Sequence, residues 1–259
     1  MAKQHPGAAV AALCEALPEV EAATSHGMPI WKAGGRQFAT FSLNHHGDGH
    51  VGLLLKLPSG ESHRLVDSDP EVYYIPAYSG PSGWVGVELN SGVAWQDVIA
   101  LTVEAWRGVV AATLARSLAA TPEVPAPRRL KAGEIDPFVG ARGRKLLDGL
   151  RRICLALPET TEDRQWGAPC FRVGRKNFAT LFGRPGDGGG FSLQTWVGPD
   201  RQAMLTFEER YRIPAYSGRN GWIELGLDDG GDWREIEGLV LESYRRFATR
   251  RALKALDGG

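Results

Sequence analysis

The sequence has few cysteines, no long apolar run and no net charge. Its 259 residues include three cysteines and no Cys-x-x-Cys pair, which argues against a disulfide framework or a cysteine zinc site and favours the cytoplasm. No apolar run approaches the roughly 20 residues of a membrane helix, and we expect no secretory leader. The 30 Lys and Arg balance the 30 Asp and Glu, so no global field attracts nucleic acid or an anionic membrane.

The sequence does contain an internal repeat, which determines its organisation. LCEALPEV at 13–20 matches ICLALPET at 153–160, an offset of 140 residues. IPAYSGPSGW at 75–84 matches IPAYSGRNGW at 213–222, an offset of 138. Shared composition cannot place rare Trp, Tyr and Pro in one order at one spacing. The chain is therefore a tandem duplication, with two residues lost between Phe41 and Leu53 on this alignment.

The repeat predicts two units, over 8–119 and 145–254. The segment 120–144 between them is rich in Pro, Ala, Gly and Arg without a period, which is typical of a linker. With about 43% hydrophobic residues, each unit could build its own core. We expect a monomer whose units pack as a pseudo-dimer with internal two-fold symmetry, as duplicated units often do.

Periodicity predicts the same elements in each unit. A short amphipathic helix ends at Pro18 or Pro158, and a hairpin turns at Gly34 or Gly174, where a positive φ is needed. Short helices are predicted over 61–68 and 200–206. A long helix is predicted from Trp95 to about Ala119 and from Trp233 to about Leu256, with Asp232 and Glu235 as a capping box. The fold class is α+β, with helices on an antiparallel sheet.

The ordered motifs resemble the MmcQ/YjbR family in both units. In unit 1 these motifs are Leu17-Pro18-Glu19, Gly27 and Pro29, Gly34 with Phe38-Ala39, Pro76-Ala77-Tyr78, and Gly83-Trp84. The resemblance implies a CyaY-like α+β fold for each unit and DNA binding as the family's predicted role. It implies no set of catalytic residues. Members commonly carry a Lys followed shortly by Pro-Glu after the third strand. The sequence departs from this pattern: unit 1 has Lys56-Leu57-Pro58 with Glu61 further on, and unit 2 has Gln194 at the Lys position, followed by Pro199-Asp200.

Nucleic-acid binding needs cations for phosphates and often aromatic rings for stacking. Residues 1–130 hold 9 Lys and Arg against 12 Asp and Glu, and residues 131–259 hold 21 against 18. We therefore expect any DNA contact on the second unit and linker, or else these side chains are solvated surface charges. The candidates at the hairpin turns and loops are Lys32, Arg36, Arg172, Arg175, Lys176 and Arg219. The linker and the following helix add Arg128, Arg129, Lys131, Arg142, Arg144, Lys145, Arg151 and Arg152.

Aromatic residues recur in the two PAYSG loops, as Tyr78 and Trp84 in one and Tyr216 and Trp222 in the other. Such residues can anchor a core. They can also line a cleft for a small ligand or a protein partner, which is the alternative function, without a nucleic-acid role.

Other chemistry has weaker support in the sequence. His45, His46 and His50 are weak metal candidates, because their glycine-flanked stretch lacks a supporting shell. Cys14, Cys154 and Cys170 fall at core-like positions. P-loop, GxGxxG, HExxH and GxSxG motifs do not occur. We therefore expect a protein that is not an enzyme and needs no cofactor or metal.

Overall fold

The computed structural model describes residues 4–77, 79–186 and 190–258, without the side chains of Pro81 and Arg219. The chain forms two compact units. Unit 1 comprises Met1–His45 and Gly49–Lys131, and unit 2 comprises His46–Asp48 and Ala132–Gly259.

Unit 1 begins and ends with helices around an antiparallel sheet. Its elements are α1 (Pro6–Glu15), β1 (Val20–Ser25), β2 (Met28–Ala33), β3 (Arg36–Leu43), β4 (Val51–Lys56), α2 (Glu61–Ser68), β5 (Tyr73–Tyr74), β6 (Trp84–Glu88), α3 (Trp95–Arg107) and α4 (Ala112–Ser117).

Unit 2 repeats this order after a short additional helix. Its elements are α5 (Ala132–Ile135), α6 (Ala141–Cys154), β7 (Thr160–Gln165), β8 (Ala168–Val173), β9 (Lys176–Gly183), β10 (Phe191–Trp196), α7 (Pro199–Leu205), β11 (Tyr211–Arg212), β12 (Trp222–Gly226), α8 (Trp233–Phe247) and α9 (Arg250–Asp257).

The two sheets have matching strand orders. Among the described residues the first sheet is β1-β2-β3-β4-β6-β5, and the second is β11-β12-β10-β9-β8-β7, which is the same order read from the other edge. All pairings are antiparallel. The structure thus confirms the predicted α+β class and the two repeated units.

The core lies on one face of β10, whereas the centre of β9 is buried on both faces. In β10, Phe191, Leu193 and Thr195 are buried and the residues between them are half-buried, because successive side chains point to opposite faces. The helices α6 and α8 pack on this buried face at β9, and α8 also packs on β10. In unit 1, α1 and α3 cover β3 in the same way.

The predicted hairpin glycines adopt the expected conformation. Gly34 has φ +55° and Gly174 has φ +58°, and each lies in a turn that closes a hairpin, between Ala33 and Arg36 and between Val173 and Lys176. A residue without a Cβ adopts this left-handed region at no steric cost.

The prediction of one long C-terminal helix in each unit was wrong. In unit 1 the helix ends at Arg107, and buried Val109 and Val110 lie in the break before α4. In unit 2 the helix ends at Phe247, and the Thr249 hydroxyl accepts the amide of Ala252 as the N-cap of a new helix. A threonine N-cap of this kind begins a helix, so it interrupts a continuous one.

The start of α8 follows its prediction in part. Asp232 is the N-cap, and its side chain accepts the amide of Arg234. The predicted capping-box partner, Glu235, instead accepts hydrogen bonds from Arg210 and Tyr211.

The strand register corrects the position of the two-residue gap. Lys56 pairs with Trp84 in unit 1, and Trp196 pairs with Trp222 in unit 2. Leu57 and Val197 donate equivalent hydrogen bonds to the carbonyls of Gly83 and Gly221. The offset is therefore still 140 at the end of the fourth strand, and the gap lies in the following loop, at 58–59. The residue equivalent to Lys56 is Trp196, not Gln194.

The segment predicted as a linker contains regular structure in its second half. Helix α5, a 3-10 turn over Pro137–Val139 and the first residues of α6 all lie within 132–144. Phe138 in this segment is buried in the core of unit 2. No helix in the described part of the chain is long and apolar enough to span a membrane.

Candidate nucleic-acid interface

The predicted basic residues of unit 1 are largely engaged in its own structure. The guanidinium of Arg36 donates two hydrogen bonds to the carbonyl of Val109, just beyond the end of α3, from Nε at 3.0 Å and from Nη2. Lys32 lies half-buried on β2, opposite Glu21 on β1. Arg36 therefore stabilises the C-terminus of α3, where carbonyls lack helical partners, and is poorly placed to bind a phosphate.

Eight of the described arginines of unit 2 are paired with carboxylates of the same unit. Arg172 donates to Asp163 at 2.7 Å, and its own Nε is buried without a partner among the described residues. Arg151 binds Glu162 through two nitrogens and Asp148 through a third. The other ion pairs join Arg142 to Asp228, Arg164 to Asp136, Arg201 to Glu242, Arg210 to Glu208 and Glu235, Arg245 to Asp257, and Arg251 to Glu159.

Arg175 and Lys176 differ from these arginines. They lie at the turn between β8 and β9, and both are exposed. Within the described part of the chain, neither side chain has a hydrogen bond or an ion pair, and the same holds for exposed Arg250 at the start of α9. Their charges are thus available to an external anion.

These three cations lie at one end of the unit 2 sheet, here called the basic end. Val173 pairs with both Lys176 and Thr160, which places Glu159 beside the turn. Thr249 donates to Glu159 at 3.4 Å, and Arg251 also binds this carboxylate. The joint between α8 and α9 therefore reaches the same end as the hairpin turn.

The second PAYSG loop also lies at the basic end. Trp222 follows this loop and pairs with Trp196, whose neighbour Thr195 pairs with Ala179 near the start of β9. The side chain of Tyr216 in the loop is 97% exposed. The backbone of Arg219 lies in the adjoining 3-10 turn, Gly218–Asn220, whereas its side chain lies outside the described residues.

Three rings form a cluster behind this loop. Trp222 stacks on Phe247 at 5.6 Å between ring centroids, and Trp196 meets Phe247 edge-on at 6.2 Å. The guanidinium of Arg246 lies 5.1 Å from the centroid of Trp196. Trp222 and Trp196 thus anchor the loop, while Tyr216 remains accessible. In unit 1, Trp84 is half-buried and Tyr78 lies outside the described residues.

Three basic residues of the predicted linker are engaged within their own units. The amide of Arg128 binds the carbonyl of Gln4, and Arg129 donates to the carbonyl of Ser91, both within unit 1. Within unit 2, Arg142 donates to the carbonyls of Leu227 and Asp228, beyond the end of β12 that is opposite the basic end.

The structure places the three histidines that were considered as metal ligands. His50 Nδ1 lies 2.9 Å from Glu88, and its ring stacks on Tyr74 at 3.9 Å. His45 and His46 lie in the 3-10 turn between β3 and β4. Across the described ranges, no group of three or more His, Cys, Asp or Glu side chains is placed to hold a metal ion.

All three thiols are buried. Burial raises the pKa of Cys14, Cys154 and Cys170 above the ordinary thiol value, because desolvation disfavours the thiolate.

The contact between Glu159 and Arg251 makes the stability of the fold depend on pH. Hydrogen bonding to Arg251 lowers the pKa of Glu159 in the folded state, so this group adds stability above its unfolded pKa that is lost as the pH falls through the folded value. We expect Glu159→Gln to make the loss of stability between about pH 5 and 3 shallower. Urea unfolding at a series of pH values measures this slope, and an unchanged slope would contradict the contact.

Comparison with known proteins gives a family but no named activity. The model of the family described as YjbR matches residues 15–108 and 155–246, one match in each unit. The chain belongs to the YjbR family. No curated protein matches it. Among solved structures, it is similar to the YjbR-like Deinococcus radiodurans protein DR2400, which carries the family-model domain DUF419. The identity is 21% and the TM-score 0.36, over 43% of this chain and 87% of that one.

Proposed function

We propose that this YjbR protein is a non-enzymatic DNA-binding protein that holds the phosphate backbone at the basic end of unit 2. The observation that carries the proposal is the contrast among its cations. Eight described arginines of the unit are held in ion pairs, whereas Arg175, Lys176 and Arg250 lie at one end of the sheet without acidic partners in the described chain. Phosphate contacts supply most of the affinity of a protein that does not read bases.

The spacing at this end suits a nucleic-acid strand. The start of β9 and the start of β12 are two strands apart in the sheet, which is about 10 Å. Exposed Tyr216 offers a ring on which an unpaired base can stack, and the cations to its side can neutralise phosphates. This combination favours single-stranded DNA or a distorted duplex over a regular duplex.

The test uses Arg175→Ala/Lys176→Ala/Arg250→Ala in the full chain. Fluorescence anisotropy would measure binding to a labelled single strand and to a duplex at several salt concentrations. We expect the wild-type dissociation constant to be on the order of 10⁻⁵ M near physiological salt. The variant should bind more weakly, and its slope of log affinity against log salt should fall by about 2 for the single strand and by about 3 for the duplex.

The matched control is Arg144→Ala/Lys145→Ala/Arg234→Ala. It removes the same charge from exposed positions near the starts of α6 and α8, at the opposite end of the unit. Equal losses in both triple variants would show only a general charge effect and would contradict the basic end. Glu159→Gln should strengthen binding, because it removes the acid that neutralises Arg251.

A second candidate function is protein binding beside the same loop. Four large apolar side chains are exposed on α7 and the segment that follows it, namely Met204, Phe207, Ile213 and Tyr216. Gln202 ties this helix to the loop by donating to the carbonyls of Gly218 and Trp222. Exposed apolar patches mark partner surfaces. If Phe207→Ser and Met204→Ser leave DNA affinity unchanged but abolish co-purification of a partner, this function gains support.

A further inference from the structure

Unit 2 contains an open cavity of about 570 Å³ at the end of its sheet away from the basic end. Ser192 on β10 and Gly226 on β12, which pair across the sheet, line one side of it. Arg142, Arg184, Arg212 and Glu224 contribute charged side chains. A volume of this size is typical of a small-molecule site.

Unit 1 fills the equivalent place with its own side chains. There Gly52 pairs with Glu88, as Ser192 pairs with Gly226. The ring of Tyr74 lies across the sheet so closely that a Cβ on Gly52 or Gly86 would come within 2.2 Å of it. His50 stacks on the other side of this ring.

The carboxylate of Glu88 is the centre of this filled site. It accepts hydrogen bonds from the amides of Val51, at 3.1 Å, and Asn90, at 2.9 Å, and it lies 2.9 Å from His50 Nδ1. The equivalent backbone positions in unit 2 are Phe191 and Asp228, and both line the cavity.

Unit 2 replaces each of these side chains. At the offset of 138 that holds after the gap, Glu88 corresponds to Gly226 and Tyr74 to Arg212, which pairs with Glu224 as Tyr74 pairs with Gly86. Unit 2 thus has a glycine hydrogen in place of the Glu88 carboxylate and a guanidinium in place of the Tyr74 phenol ring. These replacements leave a cleft at the position that side chains fill in unit 1. The same backbone frame is therefore closed in one copy and open in the other.

The charges of the cleft have two signs. Arg184 and Arg212 have no side-chain hydrogen bond or ion pair among the described residues, and both line the cavity. Arg142 donates to the carbonyls of Leu227 and Asp228 and is paired with the Asp228 carboxylate, which also lines the cavity. Glu209, Glu224 and Asp229 line it as well, and no basic side chain is in an ion pair with any of them in the described chain. A ligand that carries a positive and a negative group would find an oppositely charged side chain for each group.

We propose that this cleft binds a small amino-acid-like zwitterion whose carboxylate occupies the place that the Glu88 carboxylate takes in unit 1. The carboxylate lies near the amides of Phe191 and Asp228, and the ammonium group faces Glu224. This site is separate from the basic end, so binding there requires no nucleic-acid role and survives the loss of one.

The decisive variant is Gly226→Glu, which restores the carboxylate of unit 1. A Cβ at this position would lie 3.6 Å from the nearest atom, the carbonyl oxygen of Arg210, so the backbone accommodates it. Gly238→Glu is the matched control, because it adds the same charge to the exposed face of α8, where a Cβ would meet nothing within 4 Å. Arg212→Ala tests the guanidinium separately.

Binding would be measured on the full chain by calorimetry and ligand-observed NMR. The probes are the free proteinogenic amino acids and glycylglycine, with acetate and inorganic phosphate as anions that lack an ammonium group. We expect at least one zwitterion to bind at up to millimolar concentration. Gly226→Glu and Arg212→Ala should each weaken this binding by about tenfold or more, while Gly238→Glu leaves it unchanged.

Three results would overturn the proposal. The first is no binding of any zwitterion to the wild type, and the second is equal binding by acetate or phosphate, which would make the site a simple anion site. The third is unchanged binding in Gly226→Glu, once circular dichroism shows that this variant is folded.

Discussion

Replacing Gly143 with Ala should destabilise unit 2 by about 3 kcal/mol, although alanine is the better helix former. Gly143 lies in the first turns of α6, where the helix crosses the turn that precedes it. A Cβ there would lie 2.0 Å from the carbonyl oxygen of Pro137 and 3.0 Å from the Cα of Phe138. Both obstacles are backbone atoms, so the helix or the turn must shift. The shift would loosen Phe138, which is buried in the core.

The control for this change is Gly238→Ala. This glycine lies on the exposed side of α8, and a Cβ would meet nothing within 4 Å. Here only helix propensity acts, and we expect stabilisation by up to about 1 kcal/mol. Urea unfolding of the full chain, with hydrogen exchange of β8–β10 to locate the effect, would measure both. Stabilisation by Gly143→Ala would show that the contact between α6 and Pro137 is absent.

Replacing Trp106 with Ala should destabilise unit 1 by about 4 kcal/mol. Trp106 on α3 is fully buried, and its indole N–H donates to the carbonyl of Pro18 at 3.1 Å. The equivalent residue in unit 2 is Tyr244, whose hydroxyl donates to the carbonyl of Pro158 at 2.7 Å. In each unit a hydrogen bond therefore joins the last long helix to the turn that follows the first helix. Both the cavity and the unpaired carbonyl contribute to the loss.

Tyr244→Phe separates these two contributions. It keeps the ring and removes only the hydrogen bond, so we expect a loss of about 1 kcal/mol. Hydrogen exchange should localise the effect of each variant to its own unit. A change below about 0.5 kcal/mol, as for a surface residue such as Leu155→Ala, would contradict the anchoring role of Trp106.

The apolar strands can be read from the sequence, whereas the polar or very short ones cannot. Strands β2 to β4 and β8 to β10 each contain several buried residues, most of them apolar. In β1, Glu21 to Thr24 are all exposed, so no alternation marks it. β5 and β11 have two residues each, which is shorter than any periodic pattern.

The residue types of the candidate site could be predicted from the sequence, but the spatial arrangement of its side chains could not. The excess of basic residues in the second half pointed to unit 2, but residue type could not separate Arg175, which has no ion pair in the described chain, from Arg172, which is bound to Asp163. Equivalent residues also differ in role, since Arg36 is tied to Val109 whereas Lys176 is exposed. Ion pairing depends on tertiary contacts, which a single sequence does not contain.

The cavity did leave a signal in the sequence. The offset of 138 that follows the gap places Tyr74 opposite Arg212 and Glu88 opposite Gly226. The loss of a large aromatic and a carboxylate from neighbouring positions of one copy indicates a space. Placing the gap before the fourth strand shifted that strand by two residues and paired Lys56 with Gln194, which concealed the true equivalences of its residues.

The edge strands of the two sheets determine where two molecules can pair through their strands. An unpaired strand edge can recruit a strand from another molecule, and short or charged edges prevent this. One edge of each sheet is a two-residue strand, β5 or β11, too short to serve as a template. The other edge differs between the copies, since β7 carries Glu162-Asp163-Arg164 whereas β1 carries one charge, at Glu21. Under conditions that promote aggregation, the β1 edge is therefore where intermolecular strand pairing should begin.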